Sequence, residues 1–554
     1  MKNTKTFLLA LLFTLHFSVL AFSQEYRLKL VSNDSIENSF LSKIDFKKKH
    51  NDSISIFDEL HKINKLVQLN GYFLSTIDSI IAHQKNYFVF FDMHQKVDSV
   101  ILKQQNFPTI ILQKFNFRND KIKMSIHKLE LFLSQISETF ETEGKSFSSI
   151  QLKDFTIKKK VLYATIDFNA SKQRKLNKLI FKGYDQFPNS FVKNYFNIHS
   201  ETLFNKKKLN EISRLSQALD FVSEIKKPET LFTKDSTFVY VYLKKNKGSS
   251  FDGLVNFSSQ ENGKIQFNGY LDLKLSNILN TGEHFSLLWN SFGAERQEFS
   301  LATKIPYIFK SKLSPELNFS IYKQDSTFLN TKFNTQLQYQ IKSNAALFLS
   351  FTSENSETFT STALNNIDNF RSTFIGFGYE YEVPKNDVFR NNSFFLNINP
   401  SFGKRKSANN AHNQIKLEST VSYLFNVSPR SSLYLKNQTG LLNSENYLQN
   451  ELFRIGGNNS IRGFNEQSVF VKDYVIQNIE YRYLVSKDAF LYSITDLALT
   501  ATQNNTKKLI GIGIGYLFHT NTSQINISTA VGTDSNTPIN IKNTQFLVDW
   551  ITFF

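Results

Sequence analysis

The strongest constraint on this chain is a two-residue alternation of apolar and polar side chains that runs from about residue 247 to the C-terminus. From Ile265 to Leu275 the odd positions are apolar or glycine, and the even positions are Gln, Asn, Tyr, Asp and Lys. The same period recurs in Phe333–Ile341, Leu347–Phe351, Ile415–Phe425, Leu433–Lys436 and Val475–Val485. A period of two predicts β-strands with one face in an apolar environment.

These strands are predicted to close into a membrane barrel. After the N-terminal segment there is no run of about 18 apolar residues, which excludes a spanning helix. A closed barrel is the other structure that satisfies every backbone group in lipid. At about 19 residues per strand with its turn and loop, residues 247–554 would form about 16 antiparallel strands. The Asn- and Ser-rich tracts Ser353–Asp368 and Lys404–Asn413 are predicted outward loops. A soluble β-sandwich or propeller is the alternative, but 22 Tyr, 56 Phe and an aromatic C-terminus favour the barrel.

Residues 1–23 have the pattern of a secretory signal peptide. A charged start, Met1–Lys5, is followed by an apolar run to about Ala21, and Ala21-Phe22-Ser23 resembles a cleavage site before Gln24. A transmembrane anchor is the alternative, but the run is short. The sequence contains no cysteine, which excludes a lipoprotein-type N-terminus, disulfides and thiolate metal sites.

Residues 24–246 contain three repeats of an α+β unit. In each repeat an amphipathic helix leads through a turn into two strands, and Ser75, Ser149 and Ser223 lie at equivalent places 74 residues apart. The apolar helix faces are Ile56, Leu60, Ile63 and Val67, then Leu129, Leu133, Ile136 and Phe140, then Leu209, Ile212, Leu215 and Leu219. The strand after the first helix is predicted at Tyr72–Ile77. We therefore predict three domains with the bounds 24–96, 97–171 and 172–246, each a small sheet backed by helices.

The net charge of +17 does not indicate a nucleic-acid partner. A secreted chain rarely meets nucleic acid, and its lysines are scattered in small clusters such as Lys158–Lys160 without an interleaved basic helix. Solvated surfaces account for this pattern, and attraction to anionic lipid headgroups or acidic clients is the alternative. Neither a nucleotide-binding motif nor a histidine cluster with metal-ligand spacing is present, so no cofactor or metal site is predicted.

A glycine-rich segment carries the most specific motif of the chain. It reads Ile455-Gly456-Gly457-Asn458-Asn459-Ser460-Ile461-Arg462-Gly463-Phe464. Four further motifs are Ile479–Arg482, Thr495–Ala498, Asn280–Glu283 and Ile305–Tyr307. Together they resemble the outer-membrane assembly-factor superfamily, which includes the BamA and TamA types and the two-partner secretion translocators. In that superfamily a loop with a Gly-Gly base and an Arg-Gly-aromatic tip folds into the barrel, and POTRA domains precede the barrel. The resemblance covers nearly the whole mature chain, although Thr495 and Ala498 depart from the usual flanking residues.

The resemblance implies that the tip Ile461-Arg462-Gly463-Phe464 lies in the barrel lumen, above a loop base at Gly456-Gly457. Glu480 and Arg482 lie opposite the apolar face of Val475–Val485, and that opposite face must be the lumen. Arg462 is then expected to make charge-assisted hydrogen bonds to Glu480 and Asp496, and Gly463 to permit a tight approach. Three glycines on one face of the next strand would leave room for the loop against the wall, namely Gly511, Gly513 and Gly515. For Arg-Gly-Phe taken alone, an ordinary turn is the alternative.

The last strand ends the chain on an aromatic residue. Trp550 and Phe554 share its apolar face, with Asp549 opposite. This strand resembles the C-terminal signal by which outer-membrane barrels are recognised and inserted. It must pair with the first barrel strand, near Phe251–Ser258, and in the superfamily that seam is weak and can open sideways.

The resemblance implies a non-enzymatic outer-membrane machine with periplasmic POTRA domains. It would insert barrel proteins or pass polypeptides across the membrane, with unfolded outer-membrane or secreted client polypeptides and the lipid bilayer as partners. POTRA sheet edges would take up a client as an added strand. Periplasmic chaperones or lipoproteins are further partners, whose binding surfaces the sequence does not reveal.

Two other functions remain open at this point. One is a haemolysin secretion/activation type of translocator, dedicated to one exported protein. Such translocators often carry two POTRA domains and a plug helix, whereas three repeats are predicted here and the first strand, Tyr26–Val31, starts beside the cleavage site. The other is an outer-membrane phospholipase or protease, but neither Gly-x-Ser-x-Gly nor His-Glu-x-x-His occurs.

Overall fold

The computed structural model describes residues 25–259, 265–292, 296–359, 366–385, 387, 389, 392–408, 410–534 and 537–554. The predicted signal peptide, residues 1–23, lies outside these residues. The chain forms two compact units, one ending at Arg174 and the other beginning at Lys175. Within the described residues, no helix is long and apolar enough to cross a membrane.

The first unit begins with a four-stranded sheet backed by a long helix. Its elements are β1 (Tyr26–Ser32), α1 (Ser35–Leu41), β2 (Lys49–His50), α2 (Ser53–Leu69), β3 (Thr76–His83) and β4 (Asn86–Asp92). The strand order is β2-β1-β4-β3, with β1 parallel to β4. The Asp52 side chain caps α2 by accepting from the amide of Ser55 at 2.7 Å. The predicted apolar face of α2 is buried against the sheet.

The predicted strand at Tyr72–Ile77 is wrong, because the chain is still closing α2 there. Gly71 adopts φ +98°, and the amides of Gly71 and Tyr72 donate to carbonyls in the last turn of the helix. The amide of Ser75 then bonds to the carbonyl of Tyr72. Residues 72–75 therefore form a turn, and the strand starts at Thr76.

The same helix–strand–strand order occurs twice more. The rest of the first unit contains β5 (Ser99–Gln105), α3 (Thr109–Lys114), β6 (Lys121–Ser125), α4 (Leu129–Thr142), β7 (Ser149–Lys158) and β8 (Val161–Asn169). The second unit opens with β9 (Lys178–Lys182), α5 (Asn189–Asn194), α6 (Lys206–Gln217), β10 (Val222–Phe232) and β11 (Thr237–Lys245). The two strand orders are β6-β5-β8-β7 and β10-β11-β9. We refer to residues 178–245 as the third domain.

Among the described residues, sixteen strands close into one antiparallel barrel, which confirms the predicted fold. Their bounds are β12 (Ser250–Ser259), β13 (Ile265–Ser276), β14 (His284–Phe292), β15 (Arg296–Lys304), β16 (Leu313–Gln324), β17 (Phe328–Lys342), β18 (Ala345–Thr358), β19 (Phe370–Pro384), β20 (Asn392–Ser407), β21 (Asn410–Ser428), β22 (Ser431–Asn443), β25 (Asp473–Ser486), β26 (Ala489–Ala501), β27 (Thr506–His519), β28 (Ser523–Asp534) and β29 (Gln545–Phe553). Between β22 and β25, the strands β23 (Phe453–Ile455) and β24 (Val469–Val471) form a separate hairpin.

The barrel wall has an apolar outer face. On β18, Leu347, Leu349 and Phe351 are 50%, 63% and 41% exposed, whereas Phe348 and Ser350 between them are buried. Other strands add exposed apolar residues to this face, including Ile375, Phe377, Phe402, Ile415, Leu497, Leu499, Ile512 and Ile514. So large a surface of exposed apolar side chains is stable in lipid hydrocarbon rather than in water.

The predicted outward loop at Lys404–Asn413 is wrong. β20 continues to Ser407 and β21 begins at Asn410, and those two residues are directly paired. Strand hydrogen bonds do not require apolar side chains, so a polar sequence can extend the barrel beyond the lipid. The tract Ser353–Asp368 is also shorter as a loop than predicted, because β18 runs to Thr358.

Candidate functional site in the barrel lumen

The connection between β22 and β25, residues 444–472, folds into the barrel, and we call it the lumen loop. The hairpin β23–β24 forms its neck, and Gly456 and Gly457 follow β23 with φ of +115° and +91°. A side chain at Gly456 would overlap the carbonyl of Asn465, and one at Gly457 would overlap Glu466. The base of the loop therefore requires glycine for both conformation and space.

The loop tip is held by Arg462. Its Nε and Nη2 donate to the two oxygens of Asp496 at 2.8 and 2.7 Å, and its Nη1 donates to Glu480 at 2.5 Å. Its backbone amide also donates to Asp496, at 2.8 Å. Asp496 on β26 is fully buried, and Glu480 on β25 is 7% exposed. This bidentate fork sets the tip in one position and orientation.

We call the contact of Arg462 with Glu480 and Asp496 the clasp. A second arginine balances its charge. Arg482 on β25 donates to the other oxygen of Glu480 at 2.8 Å and lies over the ring of Tyr434 at 4.1 Å. Two guanidinium groups thus face two carboxylates. Balanced, hydrogen-bonded charges are what a poorly hydrated interior tolerates. The structure therefore brings together Arg462, Glu480 and Asp496, and adds Arg482 to them.

The rest of the tip packs against the wall. Ile461 is fully buried in a small apolar cluster that includes Ile476 on β25 and Ala498 on β26. The side-chain amide of Asn478 on β25 donates to the carbonyl of Ser460 at 2.8 Å. Sequence reasoning missed Asn478, although its place on the same strand face as Glu480 was a usable signal.

Glycines on two strands make room for the tip. A side chain at Gly511 would overlap the carbonyl of Arg462, and one at Gly532 on β28 would overlap Gly463 and the ring of Phe464. The atoms nearest to Gly513 belong to β28, and those nearest to Gly515 belong to the Tyr492 ring. Of the three glycines on β27, Gly511 is thus the one in direct contact with the loop. Sequence reasoning missed Gly532, because a single glycine in an alternating strand does not indicate which residue lies against it.

A cavity of about 970 Å³ remains beside the loop. Its lining combines loop residues with charged side chains from the wall, including Glu298, Lys332, Glu354 and Glu418. The loop also contacts the wall at β15 and β29. The side-chain amide of Gln467 donates to Glu298 at 2.8 Å, and that of Asn458 donates to Asp549 at 3.3 Å. The arrangement is a polar lumen that is narrowed by a noncovalently held loop.

No protein-family model matches the chain, and no curated protein matches it. Among solved structures, CdiB from Escherichia coli is similar, with a TM-score of 0.53 and 12% identity over 90% of this chain and 97% of that one. CdiB from Acinetobacter baumannii has a TM-score of 0.48 and 13% identity over 90% and 98%. BamA from Haemophilus ducreyi lacking POTRA domains 1-3 has a TM-score of 0.44 and 13% identity over 81% and 98%.

The chain has the fold of a POTRA-bearing outer-membrane barrel. At 12% identity, the similarity to E. coli CdiB is one of fold. In this POTRA-barrel architecture the apolar outer face lies in the outer membrane, and the N-terminal domains lie in the periplasm. Because β12 leaves the third domain, the lumen loop between β22 and β25 enters from the opposite, external end of the barrel.

The barrel closes between its first and last strands, β12 and β29, over a short ladder. Among the described residues, Ser250 pairs with Phe553 and Phe251 with Thr552. The neighbouring ladder between β28 and β29 continues from Thr552 up to Gln545. On β29 and just beyond it, Trp550 and Phe554 are more than half exposed on the lipid face. The seam therefore has fewer backbone hydrogen bonds to break than its neighbour.

The third domain is joined to the periplasmic turns of the barrel. Tyr307 belongs to the apolar core of that domain, and its ring meets Phe191 edge-on at 5.0 Å. The hydroxyl of Tyr184 donates to Asn280 at 2.6 Å. The sequence motifs Asn280–Glu283 and Ile305–Tyr307, whose role the sequence does not reveal, both lie at this joint between the third domain and the barrel.

Glu283 organises one of these turns. Its carboxylate accepts from the Leu279 amide and the Thr281 hydroxyl, both at 2.6 Å. Burial raises the pKa of Glu283, but the hydrogen bonds from Thr281 and Leu279 outweigh burial, and the pKa lies below its ordinary value. The turn is therefore held by a carboxylate in its charged form.

Proposed function

We propose that this protein transfers unfolded polypeptides into or across the outer membrane without nucleotide hydrolysis. The observation that carries the proposal is the lumen loop, whose tip is held by Arg462 against Glu480 and Asp496. Such a clasp closes the lumen at rest, yet it is noncovalent and can release. Client binding and folding would supply the free energy, and no catalytic residue is assigned.

Client capture is assigned to the edge strands β3 and β7. Each is an outer strand of its sheet, and Ile81 on β3 and Phe155 on β7 are more than half exposed. An extended client that pairs with such an edge has its backbone groups satisfied before it reaches the membrane. β10, the equivalent strand of the third domain, contains Pro228 and two register shifts. Because proline has no N–H, β10 is a poor template for strand addition.

Insertion of barrel clients is assigned to the seam. Beyond Phe251, β12 carries backbone groups that are not part of the two-pair ladder with β29. A client strand can use such groups as a template, as it would at any sheet edge. The third domain, fixed to the periplasmic turns, would deliver the client next to this strand.

The second candidate function is a translocator dedicated to one exported protein. The fold similarity to CdiB, a two-partner secretion translocator, favours it. In this alternative the client passes through the lumen beside the displaced loop, and the seam stays closed. The two functions therefore differ in which part of the barrel must open.

The deciding experiment is depletion of the protein, followed by comparison of the outer-membrane and secreted proteomes. Loss of many barrel proteins would support a general assembly factor, and loss of one large secreted protein would support the translocator. Complementation with the wild type and with Arg462→Ala provides the matched pair, in which the variant restores neither proteome. If both proteomes are unchanged after full depletion, the proposed function is wrong.

A further inference from the structure

The lumen loop is attached to the barrel at a second place, near its outer end. Arg405 on β20 is 1% exposed and is the largest fully buried side chain of the described residues. Its Nη1 donates to Glu451, which is 5% exposed in its side chain, and to the carbonyl of Asn446 at 3.3 Å. Its Nη2 donates to the side-chain oxygen of Asn446. All of these acceptors belong to the loop.

Glu451 is itself fully engaged. One oxygen accepts from the backbone amide of Leu448 at 2.8 Å, and the other accepts from Gln414 on β21 at 2.9 Å. The carboxylate thus folds residues 448–451 into a tight turn and binds that turn to the wall. Sequence reasoning assigned no role to Arg405 or Glu451, which lie 46 residues apart.

A neutral cluster continues this attachment onto two further strands. Asn450 is 1% exposed and donates to Ser356 on β18 at 2.7 Å. Asn330 on β17 donates to the carbonyl of Asn450 at 2.6 Å. The outer end of the loop is therefore bound to β17, β18, β20 and β21, whereas the tip is bound to β25–β28. The hydrogen bonds from Gln467 to Glu298 and from Asn458 to Asp549 also attach residues beside the tip to β15 and β29.

We propose that Arg405 is a positioning residue that, with Glu451, makes the lumen loop a strap fixed at two walls of the barrel. The tip clasp at Arg462 holds the inner end of the strap, and Arg405 holds the outer end. Between them, the ring of Phe453 lies under Lys416 at 4.7 Å and the guanidinium of Arg454 lies over Tyr322 at 3.7 Å. The lumen opens fully when both ends and the hydrogen bonds to Glu298 and Asp549 release.

We call the contact of Arg405 with Glu451 the outer anchor. An ion pair suits an anchor that has to dissociate when the loop moves. A buried ion pair is seldom more stabilising than apolar residues of the same volume, because both charges lose their hydration. Water or a polar client that enters from the lumen can take over the hydrogen bonds of Arg405, whereas an apolar contact would resist wetting. The inference rests on the proposed function only in that polypeptide passage requires an open lumen.

The test is ion conductance of the purified full-length protein in planar lipid bilayers. Arg405→Ala should raise the fraction of time spent in high-conductance states by about tenfold or more, since it leaves Glu451 buried without its partner. Arg462→Ala should act in the same direction, and the double variant should open further than either. The matched control is Lys406→Ala, an exposed neighbour on β20 that should behave as wild type. No client is present, so this result is separate from that of the depletion experiment.

A folded Arg405→Ala barrel with wild-type conductance would overturn the proposal. If that variant does not fold, Glu451→Gln decides, because it keeps the volume and an acceptor oxygen but removes the charge. Glu451→Gln should also open the pore, and a folded, silent variant contradicts the inference, as does failure of both variants to fold. Arg405→Cys with Glu451→Cys adds a rescue, since this chain has no other cysteine. A bismaleimide bridge between the two cysteines should return the conductance to the wild-type level.

Discussion

The contacts of Arg462 show why a guanidinium group stands at the loop tip. It reaches Asp496 with two parallel hydrogen bonds and Glu480 with a third. A lysine ammonium has no planar fork and cannot satisfy both carboxylates in the same geometry. Removing the arginine altogether leaves two buried carboxylates with fewer partners, which typically costs about 3–5 kcal/mol.

Arg462→Lys is therefore expected to destabilise the loop by about 1.5–3 kcal/mol, the free energy of a hydrogen bond to a charged group. Arg462→Ala should cost more and should leave secretion of the precursor intact. The measurement is the denaturant midpoint at which the barrel loses its compact mobility in semi-native electrophoresis. Arg371→Lys, on an exposed site of β19, is the control. Equal midpoints for wild type and Arg462→Lys would contradict the assigned role.

Gly532→Ala is expected to displace the loop tip without unfolding the barrel. The added methyl group would overlap Gly463 and Phe464, and overpacking of this kind costs about 1–3 kcal/mol. A cysteine placed at Ser460 should then react faster with a maleimide added from outside. Ile512→Ala, on the lipid face of β27, serves as the comparison. An unchanged labelling rate would show that the tip tolerates the methyl group.

At the scale of elements, the edge strands differ in what they offer to a partner. β3 and β7 have exposed apolar side chains and one register shift each. β10 has two shifts and a buried proline at 228. Bulges and proline are devices that protect sheet edges against unwanted pairing. The sheet edges of the first unit are therefore better suited to strand addition than the edge of the third domain.

Photo-crosslinking is expected to reflect this difference. Benzoylphenylalanine at Ile81 on β3 or Phe155 on β7 should crosslink to unfolded client polypeptides in the periplasm. The same probe at Ile225 on β10, which is at least as exposed as the other two sites, should crosslink several-fold less. Equal yields at all three sites would mean that apolar exposure alone, rather than strand addition, attracts the client.

The contact between the third domain and the periplasmic turns of the barrel is expected to weaken in acid. The pKa of Glu283 is lower in the folded protein than its unfolded value of about 4.3, so its stabilising contribution is complete above that pH. The contribution is lost as the pH falls from about 4.3 through the folded pKa. The distribution of distances between spin labels at Lys182→Cys and Lys312→Cys should broaden over that pH range.

Glu283→Gln should remove this part of the pH dependence. Glu201→Gln, an exposed glutamate that pairs with Lys175, should leave it in place. Identical broadening in wild type and Glu283→Gln would show that other groups govern the joint.

At the scale of the whole molecule, the barrel has two places where it can open. The seam between β12 and β29 is short, and the lumen is narrowed by a loop that noncovalent contacts hold. Under the proposed function, opening the seam would admit a client into lipid, and moving the loop would admit it into the lumen. The two candidate functions therefore require different parts of the same structure to open.

Locking the seam should separate these two functions. Phe251 and Thr552 are directly paired, so Phe251→Cys with Thr552→Cys is compatible with disulfide geometry. Under oxidising conditions the lock should abolish barrel insertion but leave translocation through the lumen intact, and a reductant should reverse it. The control lock is Ile512→Cys with Val531→Cys, a directly paired couple between β27 and β28. If insertion continues with the seam locked, the seam is not the insertion site.

The sequence by itself determined the features that are encoded locally. The alternation on β13 and β25 follows from which face meets lipid, and the helical spacing of Ile56, Leu60 and Ile63 follows from which face meets a sheet. Both can be read within one element. The approximate strand number was also accessible, because bilayer thickness limits the length of a spanning strand.

Only the tertiary structure decided which distant residues meet. Arg405 and Glu451 form no local pattern, because their contact depends on how every strand between them is registered around the barrel. The same holds for Gly532, which lies against Gly463 through the path of the loop, and for Tyr307, which enters the core of the third domain. Hydrophobic periodicity specifies the face of an element, whereas its partner is set by closure of the whole barrel.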